Sequence, residues 1–108
     1  VRPRRLEPSV TTSSAAISAC EKGAQWQEAF GIFADMRRCR LEPNVITFGA
    51  VISACEKGAQ WREALGIFAV MRRCHLEPSV ITYNAVISAC EKGAQWQEAL
   101  GTFADMAR

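Results

Sequence analysis

Ile17-Ser18-Ala19-Cys20-Glu21-Lys22-Gly23-Ala24-Gln25-Trp26 recurs letter for letter from Ile52 to Trp61 and again from Ile87 to Trp96, a step of 35 residues each time. Extending the alignment outward gives 26 identities in 35 between residues 10–44 and 45–79, and 23 in 29 between residues 45–73 and 80–108. This is near-duplication, and self-similarity at such a period marks a stacked-repeat architecture. The 108-residue chain therefore divides into residues 10–44, residues 45–79 and a truncated unit at residues 80–108. Leu6-Glu7-Pro8-Ser9 matches Leu41-Glu42-Pro43-Asn44 and Leu76-Glu77-Pro78-Ser79, so residues 1–9 are read as the tail of an earlier unit and the chain as part of a longer protein.

Within the middle unit, Phe48, Val51, Ile52, Ala54 and Cys55 lie on one face of a short helix, here called helix A. Gly58 is expected to end it in the left-handed conformation, with Lys57 near the negative helix terminus. From Trp61, the apolar set Trp61, Ala64, Leu65, Phe68 and Met71 falls at i, i+3, i+4, i+7 and i+10, which predicts a second amphipathic helix, helix B, to about Arg73. Pro78 opposes continuation of that helix, and Asn44 or Thr47 is placed to cap the next helix A. Trp26, Trp61 and Trp96 open helix B on its apolar face and are expected in the core. Gly31, Gly66 and Gly101 recur inside helix B, where each costs about 1 kcal/mol relative to Ala, and are expected to permit close helix contact. No segment carries the period-two alternation of a strand. Two helices of about a dozen residues cannot bury their apolar faces alone, so the pairs must stack. The expected fold is all-α, a right-handed α-solenoid of stacked antiparallel helix pairs forming one repeat array, with the A helices in a row along one face.

Composition narrows the function classes. Arg2, Arg4 and Arg5 supply the whole of the +2 net charge, since residues 6–108 hold 10 basic and 11 acidic side chains. Charge alone argues neither for nor against a nucleic-acid partner. No apolar stretch approaches the roughly 20 residues that cross a bilayer, so no membrane partner is expected. Five cysteines occur without zinc spacing or a signal-peptide core. Cys20, Cys55 and Cys90 are equivalent positions one repeat apart, beyond the roughly 7 Å Cα limit for a disulfide, and are expected as buried thiols. Cys39 and Cys74 fall just past helix B, and the lone His75 has no second ligand at metal spacing.

The 35-residue helical pair ending in Glu-Pro-Asn or Glu-Pro-Ser resembles the pentatricopeptide repeat. The match is carried by Val80-Ile81-Thr82-Tyr83-Asn84-Ala85-Val86-Ile87-Ser88-Ala89 and by Glu63-Ala64-Leu65-Gly66 with Phe68, Ala69 and Met71 after it. It covers essentially the whole chain, and the unvarying 35-residue spacing is similar to the pure class of that family. Two departures stand out: Trp at 26, 61 and 96 where a smaller aliphatic residue is usual, and Thr12-Ser13-Ser14 in the first unit in place of Thr-Tyr-Asn.

The resemblance implies sequence-selective binding of single-stranded RNA, one base per repeat. The base-reading positions it implies are Ser14 with Asn44, Gly49 with Ser79, and Asn84. By family usage Ser with Asn favours adenine, Asn84 suggests a pyrimidine, and Gly49 with Ser79 has no clear preference. Thr11, Ile46 and Ile81 match positions that wedge between bases. Lys22, Lys57 and Lys92 match a phosphate-proximal position, giving a regular positive charge along the row. Other readings stand beside these: Asn44 and Ser79 as helix caps only, the isoleucines as core, the lysines as solvated helix ends.

No nucleophile with a base, acid/base pair or phosphate loop is present, and Asp35 and Asp105 are isolated. The expectation is a binding protein and not an enzyme, with no cofactor, no metal and no small-molecule substrate, a fragment of an RNA processing, stability or editing factor of a chloroplast or mitochondrion by resemblance. The alternative is a helical-repeat scaffold for protein partners. Uncapped repeat ends also predict marginal stability or self-association.

Overall fold

A computed structural model describes residues 9–108; the first eight residues of the expected tail at residues 1–9, with Arg2, Arg4 and Arg5, lie outside them. Six helices follow one another: α1 (Val10–Lys22), α2 (Trp26–Arg38), α3 (Val45–Lys57), α4 (Trp61–Arg73), α5 (Val80–Lys92) and α6 (Trp96–Ala107). No strand occurs among the described residues. The odd-numbered helices are the A helices and the even-numbered ones the B helices.

Each A helix starts the same way. The side chains of Ser9, Asn44 and Ser79 accept from the backbone N–H of Thr12, Thr47 and Thr82, satisfying a donor that the first turn would otherwise leave unpaired. At Asn44 the exchange is reciprocal, because Thr47 Oγ1 also accepts from the Asn44 N–H at 3.3 Å.

The A helices end with a correction to the sequence reading. Gly58 has φ −88°, an ordinary right-handed value, and the left-handed residue is Ala59 at φ 57°. Gln60 N–H then reaches back to the Cys55 carbonyl at 2.8 Å and Ala59 N–H to that of Glu56 at 3.0 Å, the paired bonds of a Schellman ending. Ala24 and Ala94 repeat the geometry. Glycine is needed one residue earlier for space: a Cβ on Gly58 would collide with Trp26 Cδ1, and one on Gly93 with Trp61 Cδ1.

The same contact corrects the tryptophans. Trp26 and Trp61 are half-buried against the following repeat, outside the buried core, and Trp96 is 66% exposed. Gly31, Gly66 and Gly101 are also not contact points, since a Cβ at any of them would meet nothing within 4 Å.

Stacking builds the α-solenoid. α3 lies between α1 and α5, and each B helix packs on its own A helix; α2 and α4 also pack on the A helix that follows them. No B helix brings a Cα within 8 Å of another B helix. The A helices therefore form a continuous row along one side of the array, while successive B helices stand apart on the other. The core runs along the seam, with Ile17, Phe48, Val51, Ile52, Ala54, Cys55, Met71, Val86 and Cys90 fully buried. Phe33 meets Phe48, and Phe68 meets Tyr83, edge to face at 5.3 Å between ring centroids. The result is an elongated body of 58 × 27 × 18 Å.

Candidate nucleic-acid interface

The second residue of each A helix is Thr11, Ile46 or Ile81. Ile46 is 67% exposed and Ile81 72%, so neither is a core residue. Branched apolar side chains held in solvent at a fixed spacing have a solvation cost that packing within the chain does not offset. Between the first two repeats a cleft of about 230 Å³ is lined by Thr11, Ser14, Ala15, Ser18, Asn44 and Ile46. The fold thus places Thr11 and Ile46, one from each of two successive repeats, around Ser14 and Asn44.

The polar groups there also serve the fold. Ser14 is 7% exposed, and its hydroxyl shares a 2.6 Å hydrogen bond with Thr47 Oγ1. Thr47 Oγ1 donates in turn to Asn44 Oδ1 at 2.9 Å, so Ser14, Thr47 and Asn44 form one chain of hydrogen bonds. Asn44 is a helix cap, as one reading of the sequence held, yet its amide NH₂ makes no hydrogen bond among the described residues and remains a donor. Ser79 is exposed and caps α5. Gly49 sits under Thr82, which a Cβ would touch at an ordinary 3.6 Å, and Asn84 is exposed on α5. Thr47, which links Ser14 to Asn44, and the equally buried Thr82, which bonds only Ser79, escaped the sequence reading as site residues. Their signal was a Thr three residues after each capping Asn or Ser.

Lys57 and Lys92 are not simply solvated. Lys57 Nζ is 2.6 Å from Glu21 Oε2, and Lys92 Nζ is 2.6 Å from Glu56 Oε2, each lysine bridging to the preceding repeat. Ser88 Oγ also donates to Glu56 Oε2 at 2.9 Å. Burial works to raise the Glu56 carboxyl, but the hydrogen bonds from Lys92 and Ser88 and the nearby lysine charges outweigh it and hold it below the usual 4.5. The hydrogen bond to Glu21 raises Lys57 above 10.5. Lys22 has no ion-pair partner among the described residues. The acid immediately preceding every lysine in Cys-Glu-Lys was the legible trace of this ladder.

Among the described residues no three His, Cys, Asp or Glu side chains come together to hold a metal ion. Burial, with a smaller contribution from the Glu63 charge, pushes the Cys55 thiol up to about 12, which leaves it protonated and unreactive at neutral pH; Cys90 is raised for the same main reason. Cys20 is half-buried, while Cys39 and Cys74 are exposed where α2 and α4 end. Asp105, expected to be isolated, accepts from Arg72 at 2.9 Å and is also bonded by Arg108. Asp35 likewise pairs with Arg38, one turn along the same helix.

Compared with known families, residues 8–57 and 43–92 each match the PPR repeat family, and residues 81–108 match the PPR repeat. The chain belongs to the PPR repeat family. No curated protein matches it significantly in sequence. Among solved structures, the pentatricopeptide repeat protein PPR10 in complex with an 18-nt psaJ RNA element superposes with a TM-score of 0.86 at 24% identity, over 97% of this chain and 16% of that one. PPR10 from maize superposes with a TM-score of 0.80 at 27% identity, over 94% of this chain and 14% of that one. The PPR chain described here thus spans about one sixth of the length of these relatives, and the likeness establishes its solenoid fold.

Proposed function

We propose that this PPR array binds single-stranded RNA along its A-helix face and chooses bases at the joints between repeats. The observation that carries the reading is the cleft holding Ser14 and Asn44 with Thr11 and Ile46 around them. A base there would have an apolar body on one side and short polar groups at its edge, which suits stacking and Watson–Crick-edge recognition of an unpaired strand. Asn44 offers its free amide donors. Ser14 engages a base only by sharing the hydroxyl it now shares with Thr47, so Asn44 leads the recognition at this joint and Ser14 tunes it. Gly49 with Ser79 gives little selectivity, and Asn84 supplies a donor and an acceptor for the third repeat. Lys22, Lys57 and Lys92 run along the same row as the phosphate-proximal charges, the latter two tempered by their glutamates.

The action proposed is occlusion or presentation of a transcript rather than catalysis, within an organellar processing, stability or editing factor, the compartment being a chloroplast or mitochondrion. Titrating the chain with single-stranded RNA over a salt series tests the binding. Replacing Lys22, Lys57 and Lys92 with Ala is expected to weaken all sequences about equally and to flatten the salt dependence, each neutralised phosphate of a single strand contributing a slope of about −0.7. Equal affinity for duplex and single strand, or binding only to peptide ligands, would overturn the reading in favour of a protein scaffold.

A further inference from the structure

Thr47 is fully buried and does not line the cleft, yet the two polar side chains that define it, Ser14 and Asn44, both bond to Thr47. A threonine hydroxyl has one hydrogen and two lone pairs. The hydrogen goes to Asn44 Oδ1 at 2.9 Å, and one lone pair accepts from the Asn44 backbone N–H at 3.3 Å. The 2.6 Å contact with Ser14 Oγ can then run in one direction only: Ser14 donates and Thr47 accepts. Asn44 Oδ1 is filled in the same way, since it also accepts from the Thr47 backbone N–H at 3.0 Å. The Thr47 hydroxyl is thereby fully committed, and the two residues at the cleft are left with opposite characters. Ser14 has spent its only hydrogen and offers lone pairs alone, while Asn44 has spent its oxygen and offers only its amide hydrogens.

We infer that Thr47 is a positioning residue for base choice: from beneath the cleft it fixes the direction of these hydrogen bonds, so that the joint accepts at Ser14 and donates at Asn44. The complementary base edge carries an amino group beside a ring nitrogen with a free lone pair, as adenine does. Cytosine shares that edge on a smaller ring, so the comparison that isolates the polarity is one between two purines. Hypoxanthine, the base of inosine, has a keto oxygen and a ring N–H at those two places. It sets oxygen against oxygen at Ser14 and N–H against N–H at Asn44, and polar groups left unpaired in a closed site cost more than a missing contact. The second joint lacks the device, because Gly49 brings no hydroxyl and Thr82 bonds Ser79 alone. The inference rests on the RNA-binding reading and adds to it why a hydroxyl free to turn either way presents one character to the base.

The test is titration of the full chain with two single-stranded RNAs that differ only in adenosine or inosine at the base facing the first joint. The wild type is expected to favour adenosine about tenfold. Thr47→Val keeps the shape but removes the hydroxyl, which frees Ser14 to turn its hydrogen toward a keto oxygen, and is expected to bring the ratio to about threefold or less. Thr47→Ser keeps the hydroxyl and is expected to hold the ratio. In a Ser14→Ala background Thr47→Val should change the ratio no further, since Thr47 acts through Ser14. Lost stability alone lowers both affinities together and leaves the ratio, so the ratio separates positioning from folding. If Thr47→Val lowers helicity by circular dichroism, the second joint carries the same test. There Gly49→Ser with Ser79→Asn rebuilds the bonds on Thr82, whose Oγ1 lies 3.6 Å from a Cβ at position 49. That pair is expected to acquire the preference for adenosine opposite the second joint, and Thr82→Val added to it to reduce the preference. A wild type that binds the two RNAs equally, or neither, contradicts the proposed base choice itself and this inference with it. A wild type that prefers adenosine while Thr47→Val keeps the full ratio, or while Thr47→Ser loses it as completely, overturns the inference alone.

Discussion

The joint between α1 and α3 and the joint between α3 and α5 are built from nearly the same residues, yet they differ where the proposed site lies. In the first, Ser14, Thr47 and Asn44 are linked by hydrogen bonds of 2.6 and 2.9 Å. In the second, Gly49 has no hydroxyl to offer, and Thr82 reaches only Ser79, at 3.2 Å. Edge-to-face aromatic pairs and the indole-on-glycine contact are common to both. The difference teaches that packing sets the repeat while a few buried hydroxyls individualise each joint, so the residues proposed to choose a base are partly in use by the fold.

The largest effects should fall on what the joints share. Gly58→Ala and Gly93→Ala each place a Cβ inside the indole and are expected to cost about 2–3 kcal/mol, whereas Gly23→Ala should leave the monomer's stability unchanged; denaturant unfolding checks all three. Trp61→Ala should accordingly destabilise far more than Trp96→Ala. Next comes the hub that distinguishes the joints. Thr47→Val removes the partner of the buried Ser14 hydroxyl as well as half of the Asn44 cap, and is expected to cost about 1–2 kcal/mol, against less for Thr82→Val. Equal losses at the two positions would break the comparison.

Gly66→Ala is expected to raise stability by about 1 kcal/mol, because its Cβ enters open space on α4 and the helix loses a flexible residue. The inter-repeat ion pairs are smaller contributors, each below about 1 kcal/mol given their partial exposure. Their signature is pH dependence. Glu56 is held below 4.5, so its stabilisation is present above that pH and is lost as acid protonates it; Lys57 is held above 10.5, so its share is present below that pH and is lost in strong alkali. Glu56→Gln should therefore reduce the fall in melting temperature on acidification.

The helix pairs were legible because apolar spacing and capping residues are local signals, and the six helices start at the positions those signals mark. The tryptophans were misread because an apolar position on helix B can face its own helix A or the next repeat, and one-dimensional spacing does not separate the two. Gly58 was misread for a related reason. Glycine at a helix end supplies either a left-handed turn or room for a neighbour, and here Ala59 takes the turn while Gly58 admits the indole of a residue 32 positions earlier. The Ser14–Thr47 bond spans 33 residues and lies beyond any local window. Ile46 and Ile81 were marked as wedging positions by the resemblance alone; their exposure, which removes them from the core, needed the stacked array.

The central claim, that the joint holding Ser14 and Asn44 chooses a base, is tested most directly by grafting these repeats into a longer PPR array and measuring its affinity for four single-stranded RNAs that differ only at the base facing that joint. The account predicts preference for adenine by about 1–3 kcal/mol, on the scale of specific base contacts in DNA, reduced in Ser14→Gly and lost when Asn44→Ser is added to it, which makes the first joint resemble the second. Equal affinity for all four RNAs, unchanged by Ser14→Gly or by Asn44→Ser, would contradict it.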